Sequence, residues 1–290
     1  MNEELPCKLS VVTVTWNDLD RLKRTCASVE GQVVDFRFEH LIIDANSTDG
    51  SIKWGREWQA SDQGRKFISE PDDGIFDGMN KGISYTQGDY VVFLNAGDTL
   101  ADSGSLQRYV DGVSPRGAKW GFGAARIVDR DGFPVRPPVG GKRYSQFGHR
   151  YGFAKVCHQA VIMEVDFLKE LGGFEFQQYG FASDYALLIR AGMASRPNCW
   201  DSTEVNYEAG GISETDVYRQ LWRRSRARRR VIHKSAISKS ADFVWTILQT
   251  ARVFAGHVAR VALPAVGVSR AMGRDIVKLN AQHSGSSSQP

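Results

Sequence analysis

The sequence lacks the features that mark secreted, disulfide-stapled and membrane-spanning proteins. Its four cysteines are widely scattered, without the close pairing of a zinc site or a redox motif, so we expect reduced thiols. Residues 1–10 carry acids before any base and no apolar segment, which argues against a signal peptide. Segment 243–261 is interrupted by Arg252, His257 and Arg260, so it falls short of the roughly 18 uncharged residues of a spanning helix. These absences predict a cytoplasmic protein.

Glycine-rich phosphate-binding motifs are also missing where they would be expected. Neither G-x-G-x-x-G nor a P-loop sequence follows the first apolar run, residues 9–15, which argues against a Rossmann dehydrogenase or a P-loop NTPase. The hydrophobic fraction of 42% and the charged fraction of 24% are typical of a soluble protein. At 290 residues the chain is long enough for one large domain or two smaller ones.

What the sequence does contain is a regular alternation of strand and helix patterns. Apolar and β-branched runs predict strands over 9–15, 38–44, 67–69 and 90–95, and helical spacing of apolar residues follows each of the first three. This alternation implies parallel βαβ units with right-handed crossovers. Farther along, we interpret the Pro- and Gly-rich segment 133–141 as a loop.

Acidic and amide side chains follow these strands at the points where the strands end. Asp44, Asp72 and Asp98 come after successive strands, and Asn95 lies three residues before Asp98. The carboxyl ends of parallel strands share one edge of a sheet, where open α/β sheets bind ligands. Asn95 and Asp98 suit a divalent cation such as Mg²⁺, although Asn, Gly and Asp also form ordinary turns. Local sequence leaves both interpretations open.

Asp184 and Lys81 each have two local interpretations as well. We place Ser183 as the N-cap of a helix, and Asp184 then falls in its first turn, where the helix dipole favours a negative charge. The alternative for Asp184 is a catalytic carboxylate. Lys81 is either a solvated helix residue or a cation that meets phosphate charge.

Seven segments of the chain occur in the order found in a known family. They are 11–17, 42–50, 69–82, 93–98, 157–160, 183–184 and 210–213. From roughly Leu9 to Ser213 the chain resembles the inverting glycosyltransferases of family 2, and most closely the subgroup that builds bacterial exopolysaccharide, capsule or lipopolysaccharide. The resemblance implies an α/β GT-A fold, with a Rossmann-like, mostly parallel sheet flanked by helices.

The resemblance also implies a division of the chain. A catalytic domain would span 1–213, with a donor half at about 1–100 and an acceptor half at about 101–213. Beyond the resemblance, the arginine block and the helical spacing of apolar residues predict a basic, amphipathic helical extension over 214–280, and composition predicts a disordered tail over 281–290.

The family pattern assigns a nucleotide-diphosphate sugar donor to this edge of the sheet. Asp44 would accept hydrogen bonds from the base or the ribose, and Lys81 would meet the phosphates. The donor residues that the resemblance implies are Thr13, Asn17, Asp44, Asn46, Ser47, Asp72, Asp77, Asn80, Lys81 and Asn95. Asp98, with Asn95, stands where the family holds a divalent cation, Mn²⁺ or Mg²⁺.

Three positions depart from the family pattern. Ala45 replaces an acid that many relatives use against the nucleobase, so base selectivity stays open. Asn95 and Gly97 replace carboxylates of the usual D-x-D, which leaves Asp98 as the only acid in that turn. Ser183 replaces the Glu that often precedes the catalytic Asp.

The implied reaction is a sugar transfer of the hexosyltransferase type (EC 2.4), with inversion at the anomeric carbon. Asp184 would be the general base toward a hydroxyl of a glycan or of a polyprenyl-diphosphate-linked acceptor in bacterial surface polysaccharide synthesis. A positioned base contributes roughly 10²–10⁴-fold to the rate. His158, Gln159 and Ser183 would lie in the acceptor part of the cleft.

The end of the chain is basic. Residues 219–234 hold seven Arg and one Lys without an acid. Together with the apolar positions that follow, residues 219–262 suit an anionic membrane surface, which would place the protein peripherally on the inner face of the cytoplasmic membrane. Packing of these helices on the catalytic domain, or on a second subunit of a homo-oligomer, is an equal alternative.

Two other classes of function compete with the enzyme. A nucleic-acid-binding module would use the arginine block 219–234, but it leaves the seven cleft segments unexplained, so we expect no nucleic-acid partner. A non-catalytic nucleotide-sugar-binding protein would account for the reduced D-x-D. Transfer or hydrolysis of a donor separates that protein from the enzyme.

Overall fold

The computed structural model describes residues 7–262 except 115–116, 142, 154, 211–216 and 234, and over 257–262 it describes the backbone alone. The chain forms two compact units that divide between Asp242 and Phe243. The first unit holds the whole sheet, and the described part of the second is helical.

The first half of the sheet consists of parallel strands that are connected by helices. In chain order these are β1 (Cys7–Thr15), α1 (Leu19–Glu30), β2 (Arg37–Asp44), α2 (Ser51–Ala60), β3 (Arg65–Ser69), α3 (Ile75–Tyr85) and β4 (Tyr90–Phe93). The strands lie in the order β3-β2-β1-β4, and each neighbouring pair is parallel. The predicted alternation is confirmed, and the carboxyl ends of these strands lie side by side.

The second half of the sheet mixes strand directions. It comprises β5 (Thr99–Leu100), α4 (Ser105–Val113), β6 (Trp120–Val128), β7 (Pro134–Gly140), α5 (Gln146–Arg150), β8 (Val161–Glu164), α6 (Val165–Glu170), α7 (Phe176–Tyr179), α8 (Ser183–Ala194) and β9 (Asn198–Glu208). Strand β8 is antiparallel to both β4 and β6, whereas the long β9 is parallel to β6. Short β5 lies beyond β9 and is antiparallel to it. The predicted α/β class, with a mostly parallel sheet flanked by helices, is confirmed.

The segment 133–141 corrects our interpretation, because it contains a strand. Strand β7 runs antiparallel to the second half of β6, with Gly140 opposite Ala124 and Pro134 opposite Val128. It is almost fully exposed, and β6 is its one partner among the described strands. An edge strand tolerates proline because its outward N–H groups need no partner in a ladder. Local composition favoured a loop, but the open side of β6 made a strand possible.

Apolar side chains cover both faces of the sheet. Since side chains of a strand alternate between faces, Val12 and Val14 of β1 join a core cluster on one face, and Leu9 and Val11 join a second cluster on the other. Trp120 is fully buried in the first of these clusters. The ends of the central strands are therefore fixed from both sides.

Two helices follow the sheet, α9 (Val217–Val231) and α10 (Ala236–Ala262). Within the first unit, part of the arginine block of α9 packs against protein. The guanidinium of Arg224 lies 5.5 Å from the ring centre of Tyr185, and the buried Arg228 has its Nε 2.6 Å from Oδ1 of Asp242. These two arginines therefore contact protein groups within the unit.

In the second unit, helix α10 exposes large apolar side chains. They are Phe243, Val244, Ile247, Leu248 and Phe254. No helix in the described part of the chain is both long enough and apolar enough to cross a membrane. The predicted tail, 281–290, lies outside the described residues.

Candidate active site

The ends of β1, β2 and β3 lie in register and form a polar corner. Thr15 pairs with Asp44, and Asp44 pairs with Ser69. The carboxylate of Asp44 is fully buried, and its Oδ2 accepts hydrogen bonds from the Ser47 N–H at 3.0 Å and from Ser69 Oγ at 2.7 Å. Among the described residues, Asp44 Oδ1 and Thr15 Oγ1 are buried without a hydrogen-bond partner. Because unsatisfied buried oxygens are costly, this corner is suited to a polar ligand.

Two asparagines in the left-handed region shape the loops beside this corner. Asn17 has a φ of 48° and Asn46 a φ of 56°, a region that Asn adopts more readily than most residues. The Asn17 N–H donates to Ser47 Oγ at 2.8 Å, and Asn17 Oδ1 accepts from the Thr48 N–H at 2.7 Å. Next to them the side chain of Trp16 is 67% exposed. An exposed indole at this place can stack on a planar ring.

Thr13 lies deeper in β1 and has a protein partner. Its Oγ1 is 2.9 Å from Nε2 of His40, and both side chains are buried. Burial lowers the pKa of His40 to about 3, so the imidazole stays neutral. The pair joins β1 to β2 below the ends that carry Thr15 and Asp44, so Thr13 supports the corner from inside the sheet.

Asp72 and Asp77 lie at the start of α3, after the end of β3. Oδ1 of Asp72 accepts from the Gly74 N–H at 2.9 Å, and Oδ2 of Asp77 accepts from the Asp73 N–H at 3.1 Å. Burial raises the pKa of Asp72. Gly78 leaves room for this carboxylate, because a Cβ there would approach Asp72 Oδ2 to 2.9 Å.

Lys81 and Asn80 of α3 also have protein partners. Nζ of Lys81 is 3.2 Å from Glu70 Oε1 and 3.4 Å from Asp77 Oδ2. Burial opposes ionisation of Lys81, but the hydrogen bond to Glu70 and the charge of Asp77 outweigh it and raise its pKa. Asn80 uses both ends of its amide on the backbone of Phe174, each at 2.9 Å. Asn80 therefore ties α3 to the segment before α7 instead of presenting its amide to the cleft.

Asp98 ends the turn that follows β4. It is 4% exposed, and its two oxygens accept one hydrogen bond each, from the Glu208 N–H at 3.0 Å and from Gln159 Nε2 at 3.1 Å. Burial raises the pKa of Asp98 to about 7, although the bond from Glu208 and the charge of His158 act in the opposite direction. The carboxylate is held rigidly between β9 and the turn around Gln159.

The residues of this turn fit a divalent cation that depends on its substrate for further ligands. Across the described residues no group of three or more His, Cys, Asp or Glu side chains could hold a metal. Gly97 has a φ of 103°, a conformation that residues with a side chain rarely adopt, so a carboxylate-bearing residue would strain the backbone at this position. Asn95 Oδ1 is buried and unpaired among the described residues, and each Asp98 oxygen keeps a lone pair. Two such oxygens suit Mg²⁺ or Mn²⁺ when phosphates and water complete the shell.

His158 and Asp184 form a hydrogen-bonded pair. His158 lies in a one-turn 3₁₀ helix, His158–Ala160, and Asp184 lies in the first turn of α8, as predicted. Nδ1 of His158 is 3.3 Å from Oδ2 of Asp184, and Oδ1 of Asp184 accepts from the Tyr185 N–H at 2.7 Å. Burial opposes ionisation of Asp184, but the hydrogen bond and charge of His158 outweigh it and lower the pKa. Asp184 is therefore a stable carboxylate at neutral pH.

The structure corrects the predicted N-cap of α8, which is not Ser183. Helix α8 begins at Ser183 itself, and the N-cap residue is Ala182, without a side-chain cap. The hydroxyl of Ser183 donates to the Gly180 carbonyl at 2.6 Å. The preceding 3₁₀ turn, Gly180–Ala182, continues directly into the helix and moves its start by one residue.

Asp72, Asp77 and Lys81 lie together around the start of α3, and the other predicted site residues fall into three groups. The first group is linked by one turn, in which Gln159 contacts Asp98 and His158 contacts Asp184. Asn95 also belongs to this group, because it lies in the same turn as Asp98. The second surrounds the corner of Asp44 and contains Asn17, Asn46 and Ser47. The third consists of Thr13, Asn80 and Ser183, whose side-chain polar groups are bonded to protein.

Sequence reasoning missed Thr15, Trp16 and Glu208 as parts of the site. Thr15 lies on the same face of β1 as Thr13 and ends the strand. A polar residue at the end of an apolar strand is the signal that could have revealed it. Trp16 is a large aromatic in a loop between a strand and a helix. Glu208 contacts Asp98 through its backbone, for which the sequence carries no signal.

The chain has recognisable relatives. The family described as Glycosyl transferase family 2 matches residues 10–158. An uncharacterized glycosyltransferase of Mycobacterium tuberculosis strain H37Rv is 33% identical over 199 residues, which cover 65% of this chain and 70% of that protein.

Two solved structures share the fold. S. aureus TarS 1–349 in complex with UDP-GlcNAc has a TM-score of 0.63 at 16% identity, over 81% of this chain and 69% of that chain. Mannosyltransferase PcManGT from Pyrobaculum calidifontis, in complex with GDP-Man and Mn²⁺, has a TM-score of 0.59 at 16% identity, over 96% of this chain and 83% of that chain. At these identities the likeness is one of fold.

Proposed function

Because the chain belongs to glycosyltransferase family 2 and is a glycosyltransferase, we propose that it transfers a sugar from a nucleotide diphosphate to a hydroxyl group with inversion of the anomeric carbon. One observation carries this proposal. Two adjacent residues of a single turn contact the two candidate carboxylates. Gln159 contacts Asp98, the candidate cation ligand, and His158 contacts Asp184, the candidate base. A leaving group and an attacking hydroxyl need such groups at a fixed separation.

The polar corner is the proposed site of the nucleoside. Asp44 Oδ1 would accept hydrogen bonds from the base or the ribose, and Thr15 Oγ1 would add a second polar contact. Trp16 would stack on the base. TarS in complex with UDP-GlcNAc and PcManGT in complex with GDP-Man support a nucleotide-sugar donor. The identity of the base stays open, since Ala45 offers no side-chain hydrogen bond.

Asp98 and Asn95 are the proposed ligands of a divalent cation, Mn²⁺ or Mg²⁺. When bound, the cation supplies positive charge that stabilises the departing diphosphate. The PcManGT complex contains Mn²⁺, which supports this assignment. With two protein oxygens, the affinity of this chain for the cation should be low until the donor binds.

Asp184 is the proposed general base. Its carboxylate takes the proton of the acceptor hydroxyl, and the oxygen forms a bond to the anomeric carbon. The bond from that carbon to the diphosphate oxygen breaks with its electron pair on the leaving group, and attack from the opposite face inverts the centre. The side chain of Asp184 is 32% exposed and thus reachable for an acceptor.

We assign the acceptor to a glycan or a polyprenyl-diphosphate lipid of bacterial surface polysaccharide synthesis. The exposed apolar residues of α10 support docking on an anionic membrane. Flotation of the full chain with anionic liposomes should fall when Leu248→Glu and Phe254→Glu are combined. We keep 1–213 as the proposed catalytic domain and 214–280 as the proposed extension.

The function is tested in two stages with the full chain. A thermal-shift screen of UDP-, GDP- and dTDP-sugars, with and without Mn²⁺, should identify a donor that raises Tm. Release of nucleoside diphosphate from that donor should then fall at least about 100-fold in Asp184→Asn, while the donor-induced shift persists. A donor that binds wild type without any turnover, with water or glycan acceptors, would instead indicate a non-catalytic binding protein.

A further inference from the structure

The imidazole of His158 lies between the candidate base and the apolar core. Its Nδ1 is 3.3 Å from Asp184 Oδ2, while its Nε2 is buried and has no hydrogen-bond partner among the described residues. The side chain of His158 is 17% exposed, and that of Asp184 is 32% exposed. Because Nε2 has no exposed surface, the acceptor hydroxyl reaches Asp184 and not this nitrogen.

The surroundings of the ring favour one tautomer. A small cavity of about 20 Å³ adjoins the pair and is lined by His158, Asp184 and apolar side chains that include Phe93 and Leu168. Such a volume holds one water molecule at most. A proton on Nε2 would therefore find poor compensation, whereas a proton on Nδ1 finds the carboxylate. The ring therefore donates from Nδ1 to Oδ2.

Resting on the transferase function above, we propose that His158 is a positioning residue, which fixes the Asp184 carboxylate toward the acceptor by donating Nδ1–H to Oδ2. With the Tyr185 N–H on Oδ1, each oxygen is held by one hydrogen bond and keeps a lone pair for the incoming hydroxyl. Two other charged residues interact electrostatically with the pair, Asp98 with His158 and Arg224 with Asp184. Neither replaces the hydrogen bond to Oδ2.

Two substitutions of nearly equal shape separate positioning from packing. In His158→Asn the amide nitrogen can take the place of Nδ1 and donate to Asp184, whereas His158→Leu keeps the branching but removes the donor. With the donor sugar from the thermal-shift screen, release of nucleoside diphosphate should fall about 100-fold in kcat for His158→Leu, the loss expected when a reacting group is misplaced by about 1 Å. The donor KM should change little, and His158→Asn should stay within about tenfold of wild type.

A double variant completes the test. If His158 acts through Asp184, His158→Leu should add almost nothing to the loss already caused by Asp184→Asn, because residues that work as a unit are not additive. Three outcomes would each overturn the positioning role. They are losses of kcat that multiply in the double variant, equal losses of kcat in His158→Asn and His158→Leu, and an unchanged kcat in His158→Leu. Full turnover in Asp184→Asn would overturn the proposed base itself, which is a separate failure. If His158→Leu does not fold, His158→Gln replaces it, because the longer Gln side chain places its amide nitrogen near the position of Nε2 and not of Nδ1; kcat of His158→Gln equal to that of His158→Asn would then overturn the positioning role.

Discussion

The buried pair of Thr13 and His40 should make the fold sensitive to acid. In the folded protein burial lowers the pKa of His40 from its ordinary value of 6.5 to about 3. Between these values the unfolded chain binds a proton that the folded protein does not. Stability therefore rises with pH through this window and is lost as the pH falls from 6.5 toward 3.

The magnitude follows from the width of the window. A pH of 4.5 is two units below the pKa of the unfolded imidazole, so His40 is protonated in the unfolded chain but still neutral in the folded protein. At about 1.36 kcal/mol per unit, this group costs about 2.7 kcal/mol of unfolding free energy at pH 4.5, and about 1.4 kcal/mol at pH 5.5. The ring is fully buried, so screening by solvent reduces the effect little.

Urea unfolding at pH 7.0, 5.5 and 4.5, followed by tryptophan fluorescence, measures this dependence. His40→Gln is the matched control, because its amide can still reach the Thr13 hydroxyl but does not titrate. Carboxylates, among them Asp98, titrate in both proteins and cancel in the comparison. Wild type should lose about 2.7 kcal/mol more than His40→Gln between pH 7.0 and 4.5. Equal losses would refute the assignment of a neutral, buried His40.

Three other substitutions test the site. Asp98→Asn should abolish the Mn²⁺-dependent part of donor binding in calorimetry, and unchanged affinity with and without Mn²⁺ would contradict the cation assignment. Asn80→Leu should lower the free energy of unfolding by about 1–3 kcal/mol, because it leaves the Phe174 backbone unpaired, and donor affinity should not change. Weaker donor binding at equal stability would instead indicate that Asn80 binds the donor. Gly97→Asp should destabilise the turn because its φ of 103° strains a residue with a Cβ, and a gain in cation affinity at equal Tm would show that the turn can rearrange.

The first half of the fold could be predicted because its signals are local. Strands β1 to β4 are short apolar runs, and each is followed by polar loop residues, so both the strands and the acids at their ends are visible in the sequence. The confirmed βα alternation follows from these signals. Strand β7 was missed since its prolines signal a loop, and only the pairing with β6 overrides that signal.

The partners of the site residues could not be predicted in the same way. Asn80 occupies a position in a motif, but its amide is bonded to Phe174, 94 residues later in the chain. The contact of Gln159 with Asp98 spans 61 residues. Local pattern carries the type of residue at each position, whereas these contacts depend on how distant segments pack. The roles of the site residues remain predictions that the variants above test.

One turn of the chain links the two sides of the proposed reaction. His158 and Gln159 are neighbours in a 3₁₀ turn, yet they contact Asp184 on α8 and Asp98 after β4. The sheet carries the Asp98 turn, and α8 carries Asp184, so these two hydrogen bonds set the distance between the leaving-group side and the attacking side. Inversion requires the acceptor and the diphosphate on opposite faces of the sugar, which leaves little tolerance in that distance. A change in the 157–160 turn should therefore lower kcat by displacing both Asp98 and Asp184. A change in the corner of Asp44 should affect donor binding alone.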